Sequence, residues 1–203
     1  MKRLLPLFFC LIALTCVAGA TDVYNNLNST SDGADIIATF GPLADSFSTG
    51  GTGFTVVGIG LSLEVVGPPT GSFSIDILAD NNTSPGNPLY HIATVSDTTL
   101  TNTLQNYFFD LTTPQALNPN TRYWIELSST DGSNAEWSWS VDQTGIGVVG
   151  EYFANMNGVF TNDDGPYQME VSDQPLAVPE PGTLLLLGTG FTGVVAGFRR
   201  RFF

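Results

Sequence analysis

The sequence predicts an all-β chain: a single β-sandwich or jelly-roll-like domain, with an N-terminal signal peptide before it and a C-terminal transmembrane helix after it. Three observations point there. Apolar residues between Thr21 and Val171 recur with a period of two and not 3.6, and turn residues interrupt the pattern at short intervals. Apolar runs flanked by basic residues stand at both ends of the chain. Both cysteines, Cys10 and Cys16, lie in the first of those runs, so the segment between the runs has no disulfide, thiol nucleophile or thiolate metal site and must be held by its core.

Residues 1–20 read as the signal peptide. Met1, Lys2 and Arg3 form a cationic start, residues 4–17 an apolar stretch, and Ala18, Gly19 and Ala20 the small-residue cleavage pattern, so maturation is expected to begin at Thr21. Ala13, Leu14 and Thr15 before Cys16 lack the pattern that lipid attachment to that cysteine would need.

Residues 21–173 read as one exported β-domain of nine or ten short strands. Residues 54–66 form one long strand, or two strands bent at Gly58, Ile59 and Gly60, ending at Gly67-Pro68-Pro69. Residues 72–78 alternate cleanly, with Phe73, Ile75 and Ile77 on one face and Ser72, Ser74 and Asp76 on the other, as a half-buried strand does. A polar loop spans residues 80–88. Residues 89–95 resume the ladder, with His91 on the face of Leu89, Ala93 and Val95. Residues 105–111 come next, then residues 122–128 with Tyr123, Ile125 and Leu127 inward, then residues 135–141 with Trp137, Trp139 and Val141 in phase. Residues 147–154 and 167–171 complete the set. Such a run of short strands fits a sandwich or jelly roll better than a small barrel. Residues 174–178 read as a linker.

Residues 179–203 combine a rigid turn, an apolar helix and a cationic stop. Pro179 and Pro181 fix φ and withhold donors, so a helix starts only after Gly182. The uncharged stretch 183–198 spans about 24 Å at ~1.5 Å per residue, short against a hydrocarbon core of about 30 Å. Arg199, Arg200 and Arg201 stop it at the cytoplasmic interface, because a charge at the bilayer centre costs roughly 2.5–3.5 kcal/mol; the domain therefore faces outward. Gly188, Gly190, Gly193 and Gly197 each weaken the helix by about 1 kcal/mol relative to Ala. The run and its charges alone suit a plain, permanent anchor equally well.

Pro179-Glu180-Pro181, the short glycine-interrupted helix and the arginine cluster together resemble the PEP-CTERM sorting signal of Gram-negative bacteria. That resemblance implies a partner, the membrane-embedded cysteine transpeptidase exosortase, which recognises and processes the tail. It also implies export through the inner membrane to the envelope, outer surface or medium, in company with exopolysaccharide and biofilm systems. Over residues 44–140 the chain resembles the choice-of-anchor R family. The resemblance rests on Ala44-Asp45-Ser46-Phe47, on Ile75-Asp76-Ile77-Leu78 with the loop Pro85 to Leu89, on Leu117-Asn118-Pro119-Asn120-Thr121-Arg122-Tyr123-Trp124, and on Trp137-Ser138-Trp139. It implies a surface-exposed β-sandwich and transfers no catalytic residue.

Charge limits the partners. Between Thr21 and Val178 the chain holds 18 acids against one base, Arg122, a net charge of −17. Nucleic acid, anionic lipid and acidic polysaccharide are excluded, since nothing is left to neutralise their charges. Neutral glycans and divalent cations remain. Trp124 alternates with Arg122 and Glu126 on the polar face, which offers an indole for sugar stacking unless a loop covers it. Asp76, Asp80 and Asn82, and the turns at residues 131–134 and 162–165, carry the hard oxygen donors that Ca2+ prefers, although Asx turns use the same residues. Glu126 and Glu136, outward on strands expected to be neighbours, imitate a glycosidase pair. His91 has no partners at catalytic or zinc-binding spacing. The leading expectation is a non-enzymatic exported surface or matrix protein; the alternatives are a carbohydrate-binding module for neutral glycans and, third, a glycoside hydrolase.

Overall fold

A computed structural model describes residues 21–176; the expected signal peptide and the sorting and anchor segment lie outside the described residues. The chain runs through twelve strands: β1 (Asp22–Asn25), β2 (Gly33–Ile36), β3 (Leu43–Ser48), β4 (Phe54–Val65), β5 (Ser72–Asp80), β6 (Pro85–Ser96), β7 (Gln105–Leu117), β8 (Arg122–Ser129), β9 (Ala135–Trp139), β10 (Tyr152–Asn155), β11 (Gly158–Thr161) and β12 (Met169–Ser172). Ile37–Phe40 is a single helical turn, and Asn162–Asp164 a 3-10 turn. The strands form two six-stranded sheets, antiparallel throughout. This is the all-β architecture that the alternation predicts.

In the first sheet β4 is the spine. β7 pairs along one side, while β12 at Gly58–Leu61 and β9 at Leu63–Val65 lie end to end along the other. β1 pairs with β12, and β2 with β9. The second sheet has the order β11-β10-β3-β8-β5-β6. One apolar core fills the space between the sheets. It includes Ile59, Leu61 and Leu63 from β4, Phe73, Ile75 and Ile77 from β5, and Tyr123, Ile125 and Leu127 from β8, all buried. Each such side chain contributes roughly 1.5–3 kcal/mol by leaving water.

β4 is one strand and not two. The glycines expected to bend it instead keep its outer face thin: a Cβ on Gly58 would meet Leu176 Cγ at 2.9 Å, and one on Gly60 would meet Leu27 Cδ1 at 2.9 Å. Leu176 is buried there, and its N–H donates to Asp110 Oδ1 at 3.0 Å, so residues read as linker belong to the domain up to this point. Strand β6 begins at Pro85, which reduces the expected loop over residues 80–88 to residues 81–84.

His91 corrects the parity argument. The β5–β6 register shifts between Ile75 and Asp76 and again between Ile77 and Leu78, and each bulge inserts a residue that reverses the facing of the residues beyond it. His91 therefore points outward, 56 % exposed, with Nδ1 at 2.8 Å from Asp76 Oδ1.

Candidate functional site

Trp124 does lie on the outer face of the second sheet, but it is fully buried. It packs with Ala44, Leu78 and Ala154 in a small second apolar cluster, against which Tyr152 also lies, and its Nε1 donates to Asp80 Oδ1 at 2.9 Å. No ring face is left for a sugar. The indole belongs to the outer layer of packing, and the stacking role expected of it is corrected on that ground.

The calcium candidates are not brought together either. Asp76 is spent on His91. Asp80 lies four residues further along the same strand, about 13 Å away at ~3.3 Å per residue, and accepts from Trp124 and from the Thr83 N–H. Asn82 is exposed in the left-handed region with φ 53°. No group of three or more His, Cys, Asp or Glu able to hold a metal ion occurs among the described residues. In the two turns Asp131 and Asn162 serve the fold. Asp131 accepts from the N–H and Oγ of Ser72. Asn162 is buried, with Nδ2 donating to Tyr24 Oη at 3.1 Å and to Asp45 Oδ1 at 3.3 Å.

Glu126 and Glu136 fall on different sheets, β8 in the second and β9 in the first, and each flanks buried inward neighbours, so they face opposite sides of the sandwich. They cannot flank one glycosidic bond. Burial and then Asp76, directly opposite in the ladder, push the Glu126 carboxyl up; burial, Glu64 opposite it and Asp35 do the same for Glu136.

Arg122, on the outer face of β8 in phase with Trp124, is a structural cation. Its Nε donates to Glu151 Oε2 at 2.8 Å, its Nη2 to the Gly150 carbonyl at 3.1 Å, and its guanidinium lies 4.7 Å from the Tyr152 ring centroid. Ser46 Oγ donates to the same Glu151 oxygen. Next to it Asp45 is fully buried and accepts from the Tyr167 N–H at 2.7 Å; burial pushes its carboxyl well above the usual range.

The residues that do converge on a recess are others. Where β2 and β9 of the first sheet face β10 of the second, a cleft of about 210 Å³ opens, lined by Asp35, Trp139, Asn155, Asp164 and Gly165 and floored by Phe153 and Tyr167. Local sequence explains each. Asp35 stands opposite Trp137 in the β2–β9 ladder, so it points inward at the sheet edge, where Oδ2 accepts from Tyr167 Oη at 2.7 Å. Burial, and then this carboxylate, push the Tyr167 hydroxyl far up, so it stays a donor. Tyr167 stacks on Trp137 at 4.6 Å between ring centroids and meets Phe153 edge-on at 5.8 Å. Trp139 is in phase with Trp137 but ends its strand, so it is half-buried at the rim, and Val141 beyond it is exposed. Gly33 permits this position: a Cβ there would sit 2.5 Å from the indole Cζ2. Asn155 Oδ1 accepts from the Asn157 N–H across the β10–β11 turn, and its amide donates to the Tyr167 hydroxyl, which leaves one amide hydrogen to donate. Asp164 is exposed in the 3-10 turn. Chemically the cleft offers carboxylate acceptors, an amide donor and part of an indole, with no cation among its lining.

Comparison with known proteins bears on the end of the chain. Residues 177–201 match the PEP-CTERM protein-sorting motif, which indicates an exported protein sorted by exosortase. The match takes in Pro179, Glu180, Pro181 and all three arginines, and it starts one residue after the docked Leu176. No curated protein matches the chain. No helix among the described residues is long and apolar enough to cross a membrane.

Proposed function

We propose that the chain is a non-catalytic surface or extracellular-matrix protein of an exopolysaccharide- and biofilm-forming envelope, whose β-sandwich is a choice-of-anchor R type domain. In this reading the tail holds the domain at the membrane until an exosortase-type transpeptidase processes it. The sorting motif placed directly behind a folded β-domain supports this reading most. The domain's acidity agrees with it, since a charge of −17 keeps such a component soluble and apart from nucleic acid and anionic lipid. Replacing Pro179, Glu180 and Pro181 together by alanine in the native host tests it. The wild-type protein is expected in the surface or released polysaccharide fraction and the triple variant at full length in the inner membrane; equal distribution of the two overturns the reading.

A second reading, binding of a neutral glycan, is favoured by the cleft at Trp139. The third, a glycoside hydrolase, loses its carboxylate pair with the separation of Glu126 and Glu136.

A further inference from the structure

The cleft between β2, β9 and β10 has three properties that together select a ligand. Its volume of about 210 Å³ is below the roughly 300–1,000 Å³ of pockets for drug-sized molecules, so it admits a single ring. Its polar groups are mostly acceptors: the free oxygen of Asp35, both oxygens of Asp164, and against them the one Asn155 amide hydrogen not given to Tyr167. Its accessible aromatic surface belongs to Trp139, because Phe153 is only 8 % exposed and Tyr167 is fully buried.

We propose that this cleft binds one ring of a neutral sugar, with hydroxyls donating to Asp35 and Asp164 and a C–H face against the Trp139 indole. An anionic sugar would meet two carboxylates and no counter-charge. A quaternary amine is best held by several ring faces around the cation, and here only one ring has surface to give; a protonated amino sugar would pair with the two carboxylates and is set apart by the steep salt dependence of its binding. A neutral pyranose needs a patch of aromatic surface, acceptors for its hydroxyls and one or two donors, which is the set present. Gly165 lines the cleft with φ 125°, and a Cβ there would stand 3.2 Å from the indole Cε3, so the glycine keeps open the space over the ring. The site is partly organised in advance, since Tyr167 Oη pins Asp35 and the Asn157 N–H pins Asn155.

The inference deepens the second reading above and is independent of sorting: a protein that binds no sugar can still be exported and processed. Isothermal titration of the exported protein purified from its host, with neutral gluco-, manno- and galacto-trisaccharides, tests it. One of the three is expected to bind, with affinity changing less than twofold between 50 mM and 500 mM sodium chloride. Trp139→Ala is expected to weaken it about thirtyfold, as loss of a hot-spot tryptophan does. Because that indole is half-buried, Asp164→Asn serves as a variant with no packing cost and is expected to weaken binding about tenfold, while Asp163→Asn, the same charge change outside the cleft, leaves it unaltered. The proposal is overturned if none of the three binds at millimolar concentration. It is also overturned if glucosamine trisaccharide binds instead with steep salt dependence, or if Asp164→Asn and Asp163→Asn behave alike.

Discussion

The indole nitrogen of Trp124 donates to Asp80 Oδ1 at 2.9 Å, so one residue that reads as a sugar platform and another that reads as a calcium ligand satisfy each other inside the protein. Trp124 fills the outer face of the second sheet between Ser46 on β3 and Leu78 on β5. Trp124→Ala should lower unfolding free energy by about 3–5 kcal/mol, the usual cost of emptying so large a buried site. Asp80→Ala should cost about 1–3 kcal/mol, the penalty for leaving the buried indole N–H without an acceptor. Urea unfolding of the two variants checks both values; a Trp124→Ala protein as stable as wild type would mean that the ring is not packed as described.

Arg122 and Glu151 form the one arginine–carboxylate pair among the described residues, with side chains only 21 % and 6 % exposed. Removing the cation alone leaves Glu151 charged and buried beside Asp45. Arg122→Ala should therefore cost about 3–5 kcal/mol, more than a surface ion pair of 0–1 kcal/mol would. Adding Glu151→Gln to that variant should restore part of the loss. A double-mutant cycle in urea reads the coupling, and strictly additive effects would show that the pair is not coupled.

Stability should fall as pH rises toward neutrality. Glu170 on β12 is pushed up to about 7 by burial and then by Asp22, and Asp22 Oδ1 is itself buried without a hydrogen-bond partner, so a protonated Glu170 supplies the missing donor. A folded carboxyl with a raised pKa binds its proton more tightly than the unfolded one. Its contribution is complete below the ordinary carboxylate range and is lost as pH climbs through about 7. Burial raises Asp45, Glu126 and Glu136 in the same direction. Melting temperature should decline between pH 5 and pH 7.5, and Glu170→Gln should flatten the slope; a wild-type melting temperature that rises over this window would contradict the account.

Calcium should act on this domain as a screening ion. The carboxylates nearest to a ligand set, Asp76 and Asp80, are committed to His91 and Trp124. A bound cation would add stability that grows with the logarithm of its concentration. Differential scanning fluorimetry in calcium and sodium chlorides of matched ionic strength should show the same rise in melting temperature. A saturable excess with calcium would reveal a site that the fold does not display.

How much of the fold and the cleft is legible in the sequence depends on how locally each feature is encoded. Tyr123, Ile125 and Leu127 are inward as alternation predicts, because β8 pairs with β3 and β5 without a register shift. The same rule misplaces His91, because the bulges in β6 leave no mark in composition. Alternation puts Trp124 correctly on the outer face, yet its cover includes Ala154, thirty residues away in the chain, which the pattern within one strand cannot show. The cleft escapes sequence reasoning for a related reason. Asp35, Trp139, Asn155 and Asp164 come from four separate segments, and only the turn Asn162-Asp163-Asp164-Gly165 stands out as a cluster of oxygen donors. Trp139 reads as core because it is in phase with Trp137; what exposes it is the end of the strand.

Export followed by processing at the sorting motif is read out by the intact mass of the protein recovered from the envelope and medium of its native host. The predicted mass corresponds to a chain that begins at Thr21 and has lost the end bearing Arg199, Arg200 and Arg201. A mass that still includes Phe203 in the outer-surface or released fraction would contradict processing and leave a plain C-terminal anchor.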